Sequence, residues 1–228
     1  AAAGVTATSG LSLGEYTALQ IAGVFSFEDG LNLVALRGRA MQDAAEAIAS
    51  GMVALIGADE AQANAVCDQA RGSDVLVTAN FNAPGQIVIS GSKAACVRAE
   101  AVAAGMGLRA TALSVAGAFH SPIMAPASER LKAALATTTM HAPSCTVISN
   151  VTAKPHAPDG GRTIIETIRQ RLAEQLQAPV RWSDGCQWLV ANGGPAEFHE
   201  PAPGRTLAGL MRRIEKSVKV TSHDEPGQ

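Results

Sequence analysis

Near the start of the chain, Gly10-Leu11-Ser12-Leu13-Gly14 fits the pattern G-x-S-x-G. A serine hydroxyl is a weak nucleophile at neutral pH, and this pattern exposes one at a sharp turn from a strand into a helix. Glycines suit that turn because it crowds the backbone. Ser12 would stand at the helix N-terminus, where the backbone N–H of Leu13 can help hold an oxyanion. Such a serine needs a base, and five histidines are available. His141, His156 and His223 lie in Pro-rich or terminal polar surroundings and read as solvated. His199 follows Phe198 at a strand end and reads as a core or edge residue. His120, within Val115-Ala116-Gly117-Ala118-Phe119-His120-Ser121-Pro122, falls at a strand-to-helix junction, where α/β folds place functional groups, and is the candidate base.

A third residue points to the substrate. On the helix expected from Glu28 onward, the neighbours of Arg37 three and four residues away are Leu33, Val34, Ala40 and Met41, so it shares the apolar face. Arg39, on another face near Asp43, is an ordinary surface charge. A buried guanidinium cannot lose its proton and must find an anion or several acceptors. An internal Asp or Glu, a route to the rim, and a bidentate grip on a substrate carboxylate are the open readings for Arg37.

The elements that position these residues follow from periodicity and caps. A short strand at Val5 to Thr8 precedes the serine. Helices are predicted over Leu13 to Ala22, closed by Gly23, and over Glu28 to Ile48. Residues 51 to 115 then read as strand (Met52 to Ile56), helix (capped by Asp59), strand (Val75 to Ala79), strand (Gln86 to Ser90), helix (from Ser92) and strand (Arg109 to Val115). That order is the split βαβ pattern of a ferredoxin-like subdomain. After His120 come a helix from Pro122, a strand at Thr146 to Ser149 and a helix from Thr163 to Gln175. A helix capped by Ser183, a strand at Glu197 to His199 and a helix over Thr206 to Ile214 complete the alternation. This arrangement predicts a largely parallel α/β sheet.

Composition narrows the function. The chain has 228 residues, is 47% hydrophobic and carries a formal net charge of −2, enough for a sizeable core and with no basic block for a polyanion. Four cysteines lie far apart, without the close spacing of zinc or redox motifs, and fit a reducing compartment. No apolar run approaches the roughly 20 residues that span a bilayer, and no signal-peptide pattern opens the sequence. Asn150-Val151-Thr152 matches a glycosylation sequon but reads as a strand-end asparagine.

Taken in order, several segments resemble the malonyl-CoA:acyl carrier protein transacylase family over essentially the whole chain. They are Gly10 to Tyr16, Arg37 to Gln42, Asn80 to Gln86, Gly117 to Ser121, Ser149 to Val151, and Glu200-Pro201-Ala202-Pro203-Gly204. The resemblance implies an α/β-hydrolase-like domain (1–50 and 116–222) with an inserted ferredoxin-like subdomain (51–115), a tail at 223–228, and an active site between the two. It implies Ser12 as nucleophile, His120 as general base and Arg37 as the malonyl-carboxylate ligand. Leu13, Met41, Phe119, Asn82 and Asn150 would lie around the substrate, and a backbone carbonyl near Ala202 would orient the imidazole without any third carboxylate. Phe119 beside the base resembles malonyl-selective members.

The same resemblance implies no cofactor, malonyl-CoA and acyl carrier protein as the partners, and a monomer. Leu11, where many members have His, resembles plastid-type members, so a plastid stroma or other organelle matrix, or else a cytoplasm, is expected. Ala202 departs from the usual glycine, and Thr8-Ser9 from the usual apolar lead-in. The family's N-terminal Gly-Gln-Gly segment, a source of an oxyanion N–H, is not in this sequence, so weak or absent activity of this chain is expected. A serine esterase or thioesterase, with Asp159 or Asp184 behind His120, and an inactive acyl-carrier-binding remnant are the alternatives.

Overall fold

The computed structural model describes residues 4–193, 196–201 and 203–224. Strand β1 (Ala7–Thr8) runs into the turn at Ser12, and helices α1 (Gly14–Ile21) and α2 (Phe27–Ala47) follow. The start of α2 is fixed by Ser26, whose side chain accepts the N–H of Asp29, satisfying one of the free donors of the first turn.

Next come β2 (Ser50–Ile56), α3 (Glu60–Arg71), β3 (Leu76–Ala83), β4 (Gln86–Ser92), α4 (Lys93–Gly105) and β5 (Arg109–Ala112). The four strands pair in the order β3-β4-β2-β5, antiparallel throughout, which is the split βαβ arrangement expected. Asp59 and Gln62 form a capping box on α3, and Ser92 caps α4. Alternation along the strands sends Val53, Leu55, Ile87 and Ile89 to the face covered by α3 and α4. It sends Met52 and Val88 to the other face, where they meet Phe119. The second face is the one turned toward the serine. β5 stops at Ala112, short of the expected Val115, although Leu113 still donates its N–H to Met52.

The remaining elements are α5 (Ala125–Thr137), preceded by a 3-10 turn at Pro122–Met124, then β6 (Thr146–Val147), α6 (Ile164–Gln175), α7 (Trp182–Asn192), β7 (Phe198–Glu200), α8 (Thr206–Ile214) and β8 (Val220–Ser222). Parallel pairing joins β1 to β6 and β7 to β8. Leu19, Leu33, Leu131, Leu135, Ile168 and Leu172 form the main core under α1, α2, α5 and α6.

Helix α7 is capped at Arg181, two residues before the expected Ser183, which is buried inside the first turn. The carboxylate of Glu200 accepts the N–H groups of Leu207 and Ala208 (both 2.9 Å), so this acid holds the open end of α8. Of the expected tail, His223 donates its N–H to the Glu200 carbonyl, and 225–228 lie outside the described residues.

Two backbone contacts tie the small sheet to the rest. Val180 donates to the Ala79 carbonyl and accepts from Phe81 (2.8 and 2.9 Å). An extended segment of the main body thus continues the edge of β3.

Candidate active site

Ser12 sits in the left-handed region, φ +53°, a strained conformation for a residue with a side chain. Only one flanking glycine is sterically required. A Cβ on Gly10 would fall 2.0 Å from the backbone of Gly14, whereas a Cβ on Gly14 would meet nothing within 4 Å. Asn150, just after β6, closes the turn from behind. Its Oδ1 accepts the Ser12 N–H (2.6 Å) and its Nδ2 donates to the Gly10 carbonyl (2.8 Å). This corrects its expected place around the substrate: Asn150 is buried and its amide is engaged on both sides by the turn.

His120 is also left-handed, φ +58°. The loop carrying it lies hard against α2, since a Cβ on Gly117 would fall 2.5 Å from the Cβ of Ala45. The His120 Nδ1 is 2.8 Å from the Gln175 carbonyl, and Nε2 is 2.9 Å from Ser12 Oγ. A carbonyl can only accept, so Nδ1 carries the proton and Nε2 presents its lone pair to the serine hydroxyl. Burial pushes the imidazole down to about 4; the Gln175 carbonyl opposes this and the Arg37 charge adds to it. The orienting carbonyl was expected near Ala202, which lies outside the described residues. It belongs instead to the C-terminus of α6, where the last carbonyls of a helix lack intrahelical partners.

Arg37 is 5% exposed. Its Nη2 donates to Ser12 Oγ (2.8 Å) and to Gln175 Oε1 (3.2 Å), and its guanidinium carbon lies 5.6 Å from the centre of the Tyr16 ring. Among the described residues no carboxylate lies within ion-pair distance of it, and its Nε has no hydrogen-bond partner. Burial lowers its pKa, with Tyr16 and Glu15 opposing. A buried cation on neutral acceptors retains capacity for an anion.

These three side chains line a cleft of about 550 Å³ between the small sheet and the main body. Met41, one turn beyond Arg37, and Phe119 line it from the main body; Met52, Asn82 and Val88 line it from the sheet. Leu13 is half exposed and outside the cleft wall. Neither candidate acid of an esterase triad reaches His120: Asp159 pairs with Arg171 and Asp184 with Arg181. The thiols of Cys67 and Cys186 are pushed up to about 12 by burial, leaving them poor nucleophiles.

Two polar residues of the site were missed in the sequence. Gln175 offers its carbonyl to His120 and its Oε1 to Arg37, while its Nε2 donates to the Ser12 carbonyl (3.0 Å) and to Glu15 Oε2 (2.6 Å). Glu15 is wholly buried, and its other oxygen lies 2.8 Å from Nε2 of His156. His156 is therefore core, not solvated as expected. The available signal was the one that marked Arg37: Gln175 follows Ile168 and Leu172 on the apolar stripe of α6, and Glu15 precedes Leu19 on that of α1.

A serine held by a lone imidazole, with a buried arginine beside it, defines a Ser/His acyl-transfer site on an α/β frame. Residues 2–223 match the family model described as acyl transferase domain. The malonyl CoA-acyl carrier protein transacylase of Escherichia coli is 38% identical over 219 residues, 96% of this chain and 69% of that protein. The malonyl-CoA:acyl carrier protein transacylase structure from Xanthomonas oryzae pv. oryzae superimposes with TM-score 0.90 at 44% identity, covering 97% of this chain and 68% of that one. A malonyl-transacylase in complex with its type II PKS acyl-carrier protein gives TM-score 0.87 at 33% identity over 95% and 68%. The chain belongs to the acyl transferase family of the malonyl-CoA:acyl carrier protein transacylases.

Proposed function

We propose that the chain transfers a malonyl group from malonyl-CoA to the phosphopantetheine thiol of acyl carrier protein, in fatty acid biosynthesis, through an ester on Ser12. The observation that carries this reading is the unneutralised Arg37 guanidinium, 2.8 Å from the serine oxygen.

In the first half-reaction His120 Nε2 takes the Ser12 proton as Oγ bonds the thioester carbonyl carbon. The N–H of Leu13, at the head of α1, would help hold the developing oxyanion. The carbon–sulfur bond then breaks, and the CoA sulfur leaves with the proton from the imidazolium. In the second half-reaction the carrier thiol gives its proton to His120 and attacks the ester, and Ser12 Oγ recovers a proton as it leaves. The Gln175 carbonyl holds the imidazole in one tautomer throughout, the part a carboxylate plays in a triad. Every step draws on the chain's own side chains and backbone groups, the malonyl thioester and the carrier thiol.

Arg37 would grip the malonyl carboxylate, and Met41 and Phe119 would close around the three-carbon group. Asn82, on the cleft wall, has a buried Oδ1 without a hydrogen-bond partner among the described residues, suited to an amide N–H of the pantetheine arm. On this reading the chain divides into a catalytic domain, 1–50 and 116–222, and a small domain, 51–115, that closes the cleft. The four free cysteines suit a reducing compartment such as a cytoplasm or a plastid stroma. No helix among the described residues is long and apolar enough to cross a membrane.

The test is acylation of Ser12 from malonyl-CoA and from acetyl-CoA, read by intact mass. Arg37→Ala is expected to slow malonyl uptake about 100-fold or more, as for loss of a charge-assisted bidentate contact, with acetyl uptake changed far less. Equal losses with the two donors would count against the carboxylate grip. Release of free malonate in place of transfer would favour an esterase.

A further inference from the structure

The partner that holds Arg37 is neutral, although an acid stands close behind it. A carboxylate at position 175 would pair with the guanidinium directly and compete with any acyl carboxylate. The acid lies one hydrogen bond further back, on Glu15, which accepts from Gln175 Nε2 (2.6 Å) and the Asn150 N–H (3.2 Å) and faces His156 Nε2 (2.8 Å). The side chains of Glu15 and His156 are both wholly buried. A primary amide has a donor end and an acceptor end. With Glu15 Oε2 and the Ser12 carbonyl both on its NH2 side, the oxygen of Gln175 must face Arg37. The reversed amide would set donor against donor at the guanidinium and oxygen against oxygen at Glu15.

We propose that Glu15, braced by His156, is a positioning residue for acyl-group selection: it fixes the polarity of the Gln175 amide, so that Arg37 is oriented without being neutralised and can still take an acyl carboxylate. This inference rests on the malonyl-transfer reading of the same site.

The test is single-turnover acylation of Ser12 by malonyl-CoA and acetyl-CoA in the parent chain, in Glu15→Gln, and in the exchange Glu15→Gln/Gln175→Glu, with folding checked by circular dichroism. Glutamine at 15 can present either end of its own amide, so the Gln175 polarity is then biased only by the Ser12 carbonyl and Arg37. The malonyl-to-acetyl rate ratio is expected to fall about tenfold in that variant, whatever the change in acetyl uptake itself. The exchange keeps a donor-to-carboxylate hydrogen bond between the two positions but moves the charge onto Arg37, and the ratio is expected to fall about a hundredfold.

A ratio unchanged in Glu15→Gln overturns the proposal, and so does an equal loss with both donors, which a merely structural residue would give. If the exchange does not fold, the single variant decides. A parent chain that takes up no malonyl group removes the underlying reading as well. A parent that selects malonyl, beside variants that select it equally, removes only the role of Glu15.

Discussion

Ser12, His120 and Arg37 form one chain of donors and acceptors with a single consistent direction. Arg37 donates to the serine oxygen, the serine hydroxyl faces the lone pair of His120, and His120 donates to the Gln175 carbonyl. As proton acceptor of the proposed reaction the imidazole must be neutral to act, and its buried position lowers its pKa to about 4. The neutral form exists above that value and is lost as pH falls through it. The rate of Ser12 acylation from malonyl-CoA should therefore hold through pH 6 and fall on an acid limb near pH 4, not near the ordinary histidine value of about 6.5. A pre-steady-state pH series checks this; a limb near 6.5 would mean a solvated base. Asn150 matters at the same scale through backbone contacts, a role that its side-chain type alone could not announce.

At the scale of elements, the strand–turn–helix unit around Ser12 depends on unequal glycines. Gly10→Ala puts a methyl group into the Gly14 backbone, so the turn must open and Ser12 must move. Acylation is expected to drop by at least about 100-fold, since an ångström of misplacement costs that much, with a loss of stability of about 1–3 kcal/mol from overpacking. Gly14→Ala meets open space at the first position of α1, and its stability should match the parent or exceed it by up to about 1 kcal/mol. Urea melts of the two variants beside the acylation rates would separate the two glycines. The G-x-S-x-G pattern treats them alike, because a motif records residue types and not which backbone comes close to which.

For the whole molecule, the cleft exists because the β2–β5 sheet is fastened against the main body. Val180 extends β3, and Arg181 pairs with Glu60 on α3 and with Asp184, its guanidinium carbon 4.7 Å from the centre of the Phe81 ring. These groups are partly exposed, so their stabilising effect is modest. Arg181→Met should lower Tm by a few degrees, about 1 kcal/mol for a chain of this size. It should also raise KM for malonyl-CoA several-fold with a smaller change in kcat, because the sheet wall bearing Met52 and Asn82 is no longer held in register. A steady-state KM and kcat pair measures this, and a pure kcat effect would contradict it.

The sequence by itself determined the elements and pointed to three side chains that the fold brings together. Caps, turns and apolar periods are local, so the order of strands over 51 to 115 and the helix bearing Arg37 were legible in it. It also disclosed that Arg37 faces inward, because an apolar stripe reports burial. The stripe could not report what the guanidinium would meet, nor that Asn150 would brace the turn instead of facing the cleft. Tertiary structure decided the partners. The C-terminus of α6, 55 residues beyond His120, supplies the carbonyl and the amide that orient base and arginine, and His156 enters the core through Glu15, 141 residues away. Backbone carbonyls carry no residue signature, and hydrogen bonds between distant segments exist only once the helices pack, so neither can be read from spacing along the chain.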